Sequence, residues 1–319
     1  MSNAISNRLG KLNISWRDMG TVAGLLIMVV VFSSMSNVFL TQQNLINILQ
    51  QSSINAVIAI GMTLVIISGG IDLSVGPVAA LAAVLSAALL VAGYPVPIVI
   101  LVALAVGLAC GFVNGALIAY AGLQPFIVTL GTLSLFRALA LLYTGGTPIL
   151  GLPNEFRQLF SSSILGLPVP VIVAAVLAVL ATILLRKTPL GEYILAVGGN
   201  EEAARVSGVP IALTKVITYM ISGGLAALAA IILIARLGAA EPTLGNLWEL
   251  EAIAASAIGG ASLMGGKGSI FGTILGAIVL GAMRNGLTLL NVQAFYQLLA
   301  TGIIIILAML VDRLARGKG

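Results

Sequence analysis

Two stretches of this chain carry no charge over lengths that a soluble fold does not offer. They are 53 residues from Met19 to Ile71 and 64 residues from Leu73 to Phe136. A membrane span takes about 20 apolar residues, so the first gap holds two helices, and the second holds two more and enters a third. Later charge-free runs are Gln158–Leu185, Val216–Ala235 and Asn285–Val311. Charged residues make up 8% of the 319, where a soluble domain carries roughly 25%. The chain therefore reads as an all-α polytopic bundle of about ten transmembrane helices, including broken or re-entrant segments.

Pro and Gly set the boundaries. Pro97, Pro125 and Pro170 stand where a helix starts, a position at which the missing N–H costs nothing. The segmentation places apolar segments near 19–40, 44–68, 75–93, 96–121, 125–144, 168–185, 213–237, 247–264, 268–290 and 293–312. The eighth is irregular. Glu249 and Glu251 lie at its start and Gly259-Gly260 interrupt its end, as in a broken or re-entrant helix.

Alternating ten spans from a cytoplasmic N-terminus puts Arg8, Lys11, Arg17, Arg186, Lys187, Arg205, Lys215, Lys267, Arg313, Arg316 and Lys318 inside. Arg157 and Arg236 fall outside, while Arg137 and Arg284 fall within spans. This bias places both termini in the cytoplasm. It gives one transmembrane domain over 1–319, with a cytoplasmic segment at 1–18 and a cytoplasmic loop at 186–212. The first apolar segment reads as a retained span.

Whole classes of chemistry are excluded. Histidine is absent and Cys110 is the single cysteine, which removes zinc sites of the His/Cys kind, Ser-His-Asp triads and disulfide frameworks. The positive balance belongs to segment ends, a topology signal and not a nucleic-acid signal. Ala261-Ser-Leu-Met-Gly-Gly-Lys267-Gly268 approaches a P-loop, but Ala261 replaces its first Gly and Gly268 its Ser or Thr. Any ATP and Mg must be bound by another chain.

Two glycine ladders, Gly107/Gly111/Gly115 and Gly268/Gly272/Gly276, each line one helix face. They suit close internal packing or, alternatively, a dimer or moving interface. The pattern GGxxLxxG occurs at Gly69–Gly76 and again at Gly259–Gly266. With the spans above, both copies lie at the cytoplasmic end. Ionisable groups inside the bilayer are expensive. Asp72 reads either as the cap of a turn at the membrane surface or as a gate residue. Arg137 and Arg284 read as partners of carbonyls or acids, or as path-lining. Asn55, Thr63, Asn114, Gln124, Thr129, Thr132, Asn285 and Gln297 offer neutral hydrogen bonding suited to helix contacts or to a neutral polyol. Asn55, Asp72, Thr132, Arg137 and Asn285 are the candidates for a translocation path or gate.

The loop Leu190–Gly208 contains one further element. Asn200 can cap a helix with Glu201 and Glu202 in its first turn, and Ser207-Gly208 with Pro210 can end it. This predicts a helix of about two turns outside the membrane, the kind of element a membrane subunit offers to a cytosolic motor.

Four motifs then make the chain recognisable. They are NILQQSSINAVIAIGMTLVIISGGIDLSVG (Asn47–Gly76), PFIVTLGTLSLFRALALLYTGGTPI (Pro125–Ile149), LGEYILAVGGNEEAARVSGV (Leu190–Val209) and GGKGSIFGTILGAIVLG (Gly265–Gly281). The chain resembles the permease subunit of bacterial ABC importers for monosaccharides, especially the ribose type. The resemblance implies a permease homodimer in the inner membrane, a cytosolic ABC ATPase and a periplasmic sugar-binding protein. It further implies that Gly191, Gly199, Asn200, Ala203, Ala204, Ser207 and Gly208 form the ATPase-coupling segment. The sequence departs from the ribose-type pattern at Arg284 and Thr288 (usually Asn), Ala138 (usually Gly), Glu251 (usually Asp) and Ala261 (usually Thr). The runner-up is a secondary transporter or channel working without ATP.

Overall fold

The computed structural model describes residues 16–316. Most of the expected N-terminal cytoplasmic segment lies outside the described residues, as do Arg8, Lys11, Lys318 and the side chains of Arg17, Arg313 and Arg316. The elements in order are α1 (Trp16–Met35), α2 (Gln42–Ile67), α3 (Val75–Val91), α4 (Val96–Ala119), α5 (Pro125–Thr144), β1 (Ile149–Leu150) and α6 (Asn154–Ser161). There follow β2 (Ser163–Ile164), β3 (Leu167–Pro168), α7 (Val169–Lys187), α8 (Pro189–Gly199), α9 (Glu201–Val206) and α10 (Ile211–Leu237). The chain closes with β4 (Ala239–Ala240), α11 (Trp248–Ile258), α12 (Ile270–Leu289) and α13 (Ala294–Arg316). Each of the ten apolar segments contains one helix. Among the described residues, α2, α4, α5, α7, α10 and α12 are long and apolar enough to cross a membrane.

The helices sort into an inner and an outer layer. The inner helices α2, α10 and α12 are largely buried, whereas α4, α5 and α7 show most of their length outward. A helix apolar all round can occupy either place, and small residues decide which. The first glycine ladder presses α4 onto α10, which runs antiparallel to it. A Cβ at Gly107 would collide with the Gly223 carbonyl, one at Gly111 with that of Tyr219, and one at Gly115 would lie 2.6 Å from Val216 Cα. The second ladder seats α12 on α11 and the end of α2, through Ala255, Gly259 and Ile67. Both ladders are internal packing surfaces.

Two elements begin inside the bundle. Asn55 meets Glu251, Ser256 meets Ala59 and Thr63, and Gly266 meets Ile67. Thus α11 runs parallel to α2 from the middle of α2 to its C-terminal end. With 11 residues it is about 16 Å long, half of a hydrocarbon core of about 30 Å. The irregular stretch 241–247 leads into it from β4, which pairs with β1. In the opposite direction, 68–74 folds back into the bundle before α3, and Gly76 packs against Gly245. Gly245 has φ +76° there, and a Cβ on Gly76 would strike its carbonyl. The starts of α3 and α11 therefore meet inside the bundle, and the two helices leave it in opposite directions.

Candidate functional site

The segment expected to couple to an ATPase is two helices. Thr188 caps α8, its Oγ1 accepting from Gly191 N at 3.3 Å, with Pro189 in the first turn. The sequence predicts a helix only from Asn200 onward, so α8 is an added element. Its Ile194 and Val197 are buried, and Ile194 joins a buried cluster with Ile60, Leu64 and Ile67 of α2. Asn200 caps α9 as expected, accepting from Ala203 N at 2.9 Å, and Gly208 at φ +81° follows its end. Lys215 Nζ donates to Glu201 Oε2 at 2.8 Å and ties α9 to α10.

The seven coupling candidates divide by exposure. Gly199, Asn200, Ala203, Ser207 and Gly208 are exposed, whereas Gly191 and Ala204 are buried. A Cβ at Gly191 would collide with the carbonyls of Leu184 and Leu185, so this glycine permits the tight turn from α7 into α8. Val206, which the sequence analysis did not single out, is 79% exposed on α9.

Behind this surface three backbones meet without side chains between them. Gly198 lies against the Ile67 carbonyl, and Gly266 N donates to that same Ile67 O at 2.8 Å. A Cβ on Gly69 would sit 3.6 Å from Gly198 Cα. The end of α8 is therefore wedged between the two GGxxLxxG turns, which lie at one end of the bundle, as the span order requires.

Asp72 lies in the first re-entrant turn and is 1% exposed, so it sits inside the bundle and not at a membrane surface. Its Oδ1 accepts from Ser74 N at 3.0 Å and Ser74 Oγ at 2.7 Å, and its Oδ2 accepts from Ser222 Oγ at 2.8 Å. Asn114 Nδ2 donates to Ser74 Oγ, and Thr132 Oγ1 donates to Asn114 Oδ1, both at 2.7 Å. One network thus joins the turn to α4, α5 and α10. Thr129 and Tyr219 hydroxyls donate to the Ile71 carbonyl at 3.2 and 3.3 Å.

Arg137 does the equivalent work for the second irregular stretch. Its Nη1 donates to the carbonyls of Pro242 and Leu244 at 2.6 and 2.8 Å. Backbone that leaves a helix at membrane depth must find partners inside the protein. That explains an arginine in the middle of α5.

Asn55 and Asn285 serve other contacts. Asn55 Nδ2 donates to Glu251 Oε2 at 2.9 Å, and Arg284 pairs with Glu251 Oε1. Asn285 and Asn44 exchange two amide hydrogen bonds at 2.9 Å each, joining α12 to α2. Of the five path candidates, Asp72 and Thr132 share one network. Asn55, Arg137 and Asn285 each hold a different junction. The pairing of Glu251 with Arg284 unites two of the positions at which the sequence departs from the ribose-type pattern. A cleft of about 370 Å³ opens beside that pair, between α11, α12 and α13.

Comparison with known proteins agrees with the motifs. The family model described as branched-chain amino acid transport system / permease component matches residues 44–309. The ribose import permease protein of Bacillus subtilis is 45% identical over 93% of this chain and 93% of its own length. That of Haemophilus influenzae is 40% identical over 98% of this chain and 97% of its own. The D-allose transport system permease protein of Escherichia coli is 40% identical over 94% of this chain and 92% of its own. No solved structure matches the chain.

Proposed function

Because this chain belongs to the branched-chain amino acid transport system / permease component family and is a sugar ABC permease, we propose that it is the transmembrane subunit of an ATP-driven importer. Its cargo is a monosaccharide, a ribose-like sugar first, moving from periplasm to cytoplasm across the bacterial inner membrane. Two copies pair in the bilayer. A cytosolic ABC ATPase binds ATP and Mg and hydrolyses the nucleotide, and a periplasmic binding protein delivers the sugar. The chain itself performs no bond chemistry.

The observation that carries this reading is the wedge at Gly198. Exposed α9 gives a motor its contact, with small Ala203 and apolar Val206 on its surface. The segment behind it is fixed to the membrane helices by backbone contact at Ile67 and Gly266. With no side chain between them, displacement of α8 is transmitted to the end of α2. The turn bearing Gly69, Gly70 and Asp72 follows directly, and through it the network on α4, α5 and α10 is reached. Ribose is favoured because the relatives at 44–45% identity are ribose import permeases.

The test is co-purification of the chain with an ABC ATPase and a binding protein, followed by sugar-stimulated ATP hydrolysis in lipid. The isolated chain is expected to hydrolyse no ATP, and the assembly to hydrolyse faster when the binding protein is loaded. Sugar uptake by the isolated chain without ATP would overturn the reading in favour of a secondary transporter.

A further inference from the structure

The cleft between α11, α12 and α13 has features that the coupling function does not use. Near the C-terminal end of α12, Arg284 projects into it with 41% of its side chain exposed. Glu251, at 12% exposure, holds the guanidinium through Oε1 and spends Oε2 on Asn55. Both carboxylate oxygens are thus engaged. A guanidinium carries five N–H donors in a rigid fork, and Glu251 engages Arg284 through Nη2, so donors remain toward the cleft. Asn246 adds an amide, and Gln297 and Thr301 add side-chain oxygens, since the Gln297 amide nitrogen donates to Thr288 Oγ1 and the Val292 carbonyl and the Thr301 hydroxyl to the Gln297 carbonyl; Leu250 and Leu298 form an apolar wall.

An arginine so exposed cannot face hydrocarbon, where a charge costs about 3 kcal/mol or more. The outward flanks of α4 and α7 show the contrast, presenting Ile98, Leu101 and Phe112, and Val176, Val179 and Ile183. The α11–α12–α13 side therefore holds water at this cleft, while α13 also presents Phe295, Leu299 and Ile306 outward. Its cleft begins beside the middle of α2, at Asn55, and extends to the start of α13, the end opposite the coupling helices. Its size matches small-molecule sites, whose range starts near 300 Å³. Donors and acceptors beside an apolar wall, with an arginine pre-oriented by its acid, suit a neutral polyol.

We propose that this cleft is the sugar's subsite in the outer half of the permease, and that Arg284, oriented by Glu251 and Asn55, is a specificity-determining donor to the sugar hydroxyls. The inference rests on the importer reading above and adds where the sugar is held.

The test uses the assembled importer in proteoliposomes with radiolabelled ribose, allose, galactose and xylose. Arg284→Gln is expected to lower ribose uptake about ten-fold or more, the worth of one charged hydrogen bond, and to change the order of preference among the four sugars. The exchange variant Glu251→Arg/Arg284→Glu keeps an ion pair but moves the donor, and uptake is expected to stay low. Recovery of uptake by the exchange would make the pair structural and overturn the proposal. A second measurement does not depend on that variant folding. Cys110 is buried, so Gln297→Cys can be labelled against a quiet background. A charged, water-soluble thiol reagent is expected to label it, more slowly during turnover with ribose-loaded binding protein and ATP. Labelling by lipid-soluble maleimide alone, labelling indifferent to ribose, or cross-linking of position 297 between two copies would each overturn the subsite. A wild-type assembly that takes up none of the sugars would overturn the importer reading itself.

Discussion

Replacing Arg137 with Leu removes both donors to the second re-entrant stretch. The carbonyls of Pro242 and Leu244, now held at 2.6 and 2.8 Å, would face apolar surroundings without partners. An orphaned buried acceptor costs about 1–3 kcal/mol, so the pair costs about 2–6 kcal/mol. Leu fits the volume and removes the desolvation penalty of the guanidinium, which draws the net toward the lower half of that range. For a chain of this size about 1 kcal/mol corresponds to roughly 2 °C in Tm. The expected loss is therefore on the order of 4–8 °C, read by heating detergent-solubilised permease and scoring the monodisperse fraction by size-exclusion chromatography. Arg205→Leu is the control, because its ion pairs on α9 leave its side chain 60% exposed, and such pairs contribute little. An Arg137→Leu protein that melts with the wild type would refute the argument that this arginine exists to satisfy re-entrant backbone.

Two further outcomes follow from packing and from the Asp72 network. Gly107→Val should abolish monodisperse yield, because its side chain would strike the Gly223 carbonyl, whereas Gly131→Ala, with open space around it, should express normally. Asp72→Ala should lower thermal stability more than Asp72→Asn in the same melting assay. Alanine leaves the Ser74 and Ser222 donors without acceptors, while asparagine keeps one side-chain oxygen in place.

Much of this architecture was legible as sequence because bilayer physics is simple. Apolar runs, charge gaps and first-turn prolines located the helix in each of the ten apolar segments. The Asn200 cap located α9 because a cap is a local device. The 11-residue length of α11 fits the irregularity that Glu249, Glu251 and the Gly259-Gly260 pair signalled. Tertiary contacts were what remained hidden. Nothing local says that Arg137 would reach the 242–244 carbonyls, 105 and 107 residues away. Asp72 read either as a surface cap or as a gate residue, because sequence shows its turn but not that the turn folds back inward. Helix α8 was missed, and its Gly191, Gly198 and Gly199 give little helical signal of their own. The first and second of these glycines are small so that neighbouring backbones can approach, not so that the helix can end. Ala203 and Ala204 looked equivalent, and only the structure separates the exposed one from the buried one.

The central claim is that α8 and α9 couple an ATPase to the membrane helices, and Ala203 tests it most directly. Its side chain is exposed on α9, whereas that of the next residue, Ala204, is buried, so Ala203→Trp enlarges the exposed surface without entering the fold. The measurement is capture of the ATPase by solubilised permease, wild type against Ala203→Trp, with sugar-stimulated ATP hydrolysis on the same samples. The account predicts normal yield and binding-protein docking, with loss either of ATPase capture or of sugar-stimulated hydrolysis. A variant that captures the ATPase and responds to sugar like the wild type would contradict it, and would move the contact to another turn at the same end of the bundle, such as that around Lys267.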